Sequence, residues 1–137
     1  MLKRLLLVLL VAGGVAAALA WPRLNDVETG HTPEYPDLKV RDYAASPDAV
    51  SRAVQGAVGH LPRWSIVGSG SGPAGSEVRA IHRTHLGFKD DVTVRIRREG
   101  GRTRVSVRSK SRIGYWDFGQ NARNIRELVA ELDRTLS

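Results

Sequence analysis

The chain has no cysteine in its 137 residues. That excludes disulfides, thiolate metal ligands, a cysteine nucleophile and lipid attachment through sulfur. Aromatics are scarce, at 6%, and none interleave with the cations in the way that stacks nucleic-acid bases. Past residue 21 no long apolar run occurs, so any further apolar segment belongs to a core and not to a bilayer. Acids are also missing where cations gather. Residues 92–112 hold Arg95, Arg97, Arg98, Arg102, Arg104, Arg108, Lys110 and Arg112 against Glu99 alone, a net charge as large as the +7 of the whole chain. Such a stripe suggests an anionic partner. The plainer account is compositional, with 17 Arg against 4 Lys and arginine filling ordinary surface positions.

What is present falls into three parts: residues 1–21, 22–34 and 35–137. The first, MLKRLLLVLLVAGGVAAALAW, places two cations before an uncharged apolar run. It reads as an export element that keeps Lys3 and Arg4 in the cytoplasm and sends the remainder outward. A signal anchor that holds the chain in the inner membrane is the favoured form. Cleavage after Ala20, at Ala18-Leu19-Ala20, and release into the periplasm is the alternative. Residues 22–34, rich in proline and without periodicity, read as a linker.

From residue 35 the chain reads as one α+β domain. DLKVRDY gives a short edge strand. Ser46-Pro47-Asp48 opens a helix whose apolar positions run from Val50 to Leu61. RWSIVG is a strand, and GSGSGPAG a flexible hairpin loop, because Pro73 spoils the resemblance to a dinucleotide fingerprint. SEVRAIHRTH, DVTVRIRRE and TRVSVRS follow as strands. Val92, Val94, Ile96, Val105 and Val107 share one face; Arg95, Arg97, Arg104 and Arg108 share the other. Asp117 and Gln120 form a capping pair at the start of a last helix. Two amphipathic helices and a sheet with one apolar face predict a two-layer sandwich, with about four to five mostly antiparallel strands and both helices on one face.

Three motifs resemble a known bacterial family. EYPDL at 34–38, GFKDDVTVRI at 87–96 and VSVRSKSRIGYWDFGQNARNIREL at 105–128 occur in the order found in the family of domain of unknown function 1499. The resemblance implies a small envelope domain behind an N-terminal membrane segment, and it implies no particular activity. Where its pattern leads one to expect a further basic residue, this chain has Asn124.

Among chemistry-bearing residues, His82 and His85 are three apart on a strand and point to opposite faces, so no metal is expected. No cofactor is expected either. Asp90 and Asp91 diverge for the same reason and read, with Asp117 and Gly119, as structural motif residues. Arg108, Ser109, Ser111, Arg112, Asn121 and Arg123 gather near a helix start, where guanidinium and hydroxyl groups hold anions. The preferred reading is a non-enzymatic, membrane-attached envelope module. It binds anionic lipid or glycan through that junction and through the surface of Arg95, Arg97 and Arg104, with no nucleic-acid partner. The alternative is a small envelope hydrolase using Asp90, Asp91 and Ser109 or Ser111.

Overall fold

A computed structural model describes residues 1–137, with the side chain of Ala18 left aside. The Ala18-Leu19-Ala20 site therefore lies partly outside the described residues. The N-terminal run forms helix α1, Leu2–Leu19. All its described side chains are exposed and none joins the hydrophobic core. Its uncharged part, from Leu5, is about 22 Å long at 1.5 Å per residue. Among the described residues no helix is long and apolar enough to cross a membrane, so a spanning anchor gains no support here.

Beyond it the chain forms strand β1 (Asp26–Glu28), β2 (Arg41–Tyr43), helix α2 (Pro47–His60), β3 (Trp64–Gly72), β4 (Gly75–Arg83), β5 (Lys89–Glu99), β6 (Arg102–Ser111) and helix α3 (Gln120–Leu136). The six strands make one sheet in the order β1-β6-β5-β4-β3, and β2 shares the outer edge of β6 with β1. Every pairing is antiparallel. The α+β sandwich stands as expected, with more strands than anticipated.

Two departures have clear causes. Residues 22–34, expected to be a linker, are partly built into the sheet. Val27 is fully buried, and β1 pairs Asp26, Val27 and Glu28 with Lys110, Ser109 and Arg108. A three-residue strand carries too little periodicity to be seen in sequence. The glycine-rich stretch is not a loose loop either. β3 and β4 stay in register from Ser69↔Val78 to Gly72↔Gly75, leaving only Pro73 and Ala74 at the turn. Glycines lacking side chains still supply the backbone groups that a ladder needs.

The apolar face of the sheet packs against α2 and α3. Val78, Val92, Val94, Ile96, Val105 and Val107 meet Val50, Val54, Val58, Ile125, Leu128 and Leu132. Helix α2 starts as expected, with Ser46 Oγ accepting from Ala49 N at 3.2 Å and Pro47 in the first turn. The opposite face of the sheet carries no helix and is open to solvent.

Candidate functional site

The open face carries the arginines, and Arg108, like the three residues expected to form a bare basic surface (Arg95, Arg97 and Arg104), has an acidic neighbour. Arg108 forks onto Asp26, with Nε to Oδ1 at 2.8 Å and Nη2 to Oδ2 at 2.5 Å. Arg95 lies 3.5 Å from Glu28 and 3.6 Å from Glu77. Arg97 and Arg104 share Glu99, at 4.0 and 3.3 Å. Asp26 and Glu28 come from β1 and Glu77 from β4, so acids from distant sequence interleave with the basic strands. The hydrogen bond from Arg108 holds the Asp26 carboxyl below its usual range and raises the guanidinium in turn.

The expected anion junction also disperses. Arg108 faces Asp26 on the open side. Arg112 forks onto Asp91 at 2.9 and 2.8 Å. Arg123 donates to the Phe118 carbonyl at 2.9 Å and lies 5.8 Å from the centroid of the Trp21 ring. The three guanidiniums do not converge. Asp90 and Asp91 sit on opposite faces, the first buried and the second exposed.

What does converge is polar and buried. At one end of the sandwich His82, Asp90, Ser109, Asn121 and Asn124 occupy positions in phase with the apolar core, all nearly inaccessible. Asn124 Nδ2 donates to Asp90 Oδ2 at 2.8 Å and to Ser109 Oγ at 3.2 Å. Ser109 Oγ donates to Asn121 Oδ1 at 2.7 Å. Asn121 Nδ2 reaches Ser111 Oγ and Asp117 Oδ2, each at 2.7 Å, and the Asn25 carbonyl at 3.1 Å. His82 Nδ1 stands 3.6 Å from Asp90 Oδ2, too far for a good hydrogen bond, and is left without a partner. Its ring meets Trp64 edge-on, with centroids 5.3 Å apart.

Asp117 caps α3 from two residues before the N-cap. Its Oδ1 accepts from Gly119 N at 2.8 Å and its Oδ2 from Asn121 N at 3.1 Å. The N-cap itself is Gly119 at φ +77°, where a Cβ would lie 2.8 Å from the Trp21 ring. Phe118 also has positive φ, +51°, a strained setting for an aromatic residue. The strained turn lays Phe118 on Trp116, with ring centroids 4.4 Å apart.

Above this network opens a pocket of about 370 Å³ between the β4–β5 loop and the β6–α3 junction. Thr84, His85, Asp90, Ser111, Asp117 and Gln120 supply its polar lining, while Leu86, Phe88, Ile113, Trp116 and Phe118 supply an apolar wall. Trp116 Nε1 is buried in that wall without a partner. Orphaned buried polar atoms are uncommon; this one lies in the cavity wall, while that of His82 lies 3.6 Å from Asp90, one of the lining residues. Of the residues expected to bind a ligand, Ser111 lines this pocket, Ser109 and Asn121 lie in the network beneath it, and Arg108, Arg112 and Arg123 are engaged elsewhere. The missed participants are His82, Gln120, Asn124 and the apolar wall. Among the described residues no three His, Asp or Glu side chains gather to hold a metal ion.

Fold and site together define a small α+β sandwich with a mostly apolar pocket over a polar network at one end. The chain belongs to the family described as protein of unknown function DUF1499, whose family model matches residues 17–132. No curated protein and no solved structure matches it.

Proposed function

We propose that this is an exported binding module of the bacterial envelope, attached to the membrane by its apolar N-terminal helix, whose pocket takes an amphiphilic molecule with a hydrogen-bonding head. The observation that carries this reading is a mostly apolar cavity that also presents the buried Asp90 carboxylate and the half-buried polar groups of Ser111, Asp117 and Gln120. Ligand sites are concave and mostly apolar, with a few placed polar groups. The carboxylates of Asp90 and Asp117 favour an amine, amide or hydroxyl head over an anionic one. The Trp116 indole N–H adds one donor. Export rests on Lys3 and Arg4 ahead of the apolar run.

The test uses residues 21–137, because α1 gives no side chain to the core. N-phenyl-1-naphthylamine serves as the fluorescent probe, displaced by dodecylammonium or by dodecanoate. Dodecylammonium should displace it at a concentration about tenfold lower, a difference of about 1.4 kcal/mol. Equal displacement by both would count against the acidic floor. Absence of probe binding would count against the pocket.

A further inference from the structure

The pocket end of the domain differs from the rest of its surface in what it exposes. Leu86 is 85% exposed, Ile113 75% and Tyr115 94%, with Phe88 and Phe118 beside them. Soluble surfaces carry single apolar side chains freely, but clusters on neighbouring loops mark contact sites. Residues 84–88 and 112–119 lie at the same end because β4, β5 and β6 run antiparallel, Arg83 facing Lys89 and Asp90 facing Ser111. The turn between β3 and β4, at Pro73 and Ala74, lies at the other end.

The apolar helix leaves the domain from this same end. Trp21 lies against Gly119, Arg23 lies 4.9 Å from the Trp116 ring centroid, and the Leu24 carbonyl accepts from Asp117 N at 2.8 Å. Asn25 Nδ2 donates to the Gly114 carbonyl at 2.6 Å. The 21–25 segment is thus fastened to the loop that displays Ile113 and Tyr115, and α1 is covered by nothing in the domain. Charge agrees with this placement. Arg83, Lys89 and Lys110 stand at the same end and enter none of the ion pairs among the described residues, unlike the arginines further along the sheet.

We infer that the loop end is a membrane-docking surface: Leu86, Ile113 and Tyr115 insert at the interface of an anionic bilayer, beside the apolar helix, with Arg83, Lys89 and Lys110 meeting the headgroups. Continuity with α1 selects a lipid surface over a protein partner, since both apolar elements then enter one medium. Aromatic side chains with one polar edge favour that depth, which suits Tyr115 and Trp21. The sheet stands away from the bilayer and the pocket mouth faces it. The inference rests on the proposed membrane attachment of α1 and is independent of the ligand the pocket takes.

The absence of cysteine permits single labelling of the full chain. Leu86→Cys, Tyr115→Cys and, at the far turn, Ala74→Cys carry an environment-sensitive fluorophore. Each is reconstituted into phosphatidylcholine vesicles with or without phosphatidylglycerol, and brominated acyl chains act as the quencher. Labels at 86 and 115 should lose most of their fluorescence on phosphatidylglycerol vesicles, while the label at 74 should be unchanged. Equal quenching at all three positions, or none at 86 and 115, would overturn the docking surface. Quenching as strong on phosphatidylcholine alone would overturn the part assigned to the cations.

Discussion

The open face of the sheet and the loop end of the sandwich are both dense in polar side chains, yet they spend them differently. On the open face, opposite charges alternate across strands, and each expected binding arginine sits beside an acid in water. Exposed pairs of this kind contribute little and attract little. At the loop end the polar groups form a largely buried chain from Asp90 through Asn124, Ser109 and Asn121 to Asp117. There each group depends on its neighbours, because an unpaired buried donor or acceptor is costly. A charge count identifies the first region, but the second has the geometry of a site.

The largest effect should come from breaking the buried chain at its most connected member. Asn121→Ala removes the amide that joins Ser109, Ser111, Asp117 and the Asn25 carbonyl. It should destabilise the domain by about 3 kcal/mol in urea unfolding, since several buried partners lose their hydrogen bonds together. A loss below about 1 kcal/mol, the scale of an exposed pair, would erase the distinction between the two regions.

The smallest effect should come from Arg108→Gln on the open face. Asp26 has its folded pKa depressed, first by the hydrogen bond from Arg108, which outweighs the opposing effect of burial, with smaller help from the charges of Arg108 and Lys110. Its contribution is therefore fully present above the unfolded value of about 3.9 and is lost as pH falls through the folded value. Both groups are half-exposed, so the difference between wild type and variant should be about 0.5–1 kcal/mol at neutral pH. In unfolding titrations it should shrink toward zero once pH is well below 3.9. A difference that persists undiminished in acid would mean that Arg108 acts through something other than Asp26.

Much of the sandwich was legible because periodicity survives where strands and helices are long. The alternation of β5 and β6 and the stripe of α3 mark the apolar face in the sequence itself. β1 escaped because three residues cannot show a period, and with it went Asp26 and Glu28, two of the acids beside the arginines. A local count over 92–112 had no access to Asp26, Glu28 or Glu77, which arrive by strand pairing. The buried polar chain did leave a trace. His82 continues the phase of Val78 and Ala80, Asp90 that of Val92 and Val94, and Ser109 that of Val105 and Val107. Asn121 and Asn124 lie on the stripe of Ile125 and Leu128. Polar residues in apolar phase, all at one end of their elements, are the sequence signature of this site. The apolar loop tips carried no such mark, because a leucine in a loop reads the same whether it is buried or displayed.

The central claim is that binding resides at the loop end and not on the arginine face. Two variants of residues 21–137 set these against each other in the N-phenyl-1-naphthylamine assay: Phe88→Ser with Ile113→Ser, and the fourfold Arg95, Arg97, Arg104 and Arg108→Gln. The account predicts that the first loses about tenfold or more in probe affinity, about 1.4 kcal/mol, while the second binds as the parent does. Loss of affinity confined to the arginine variant would contradict it.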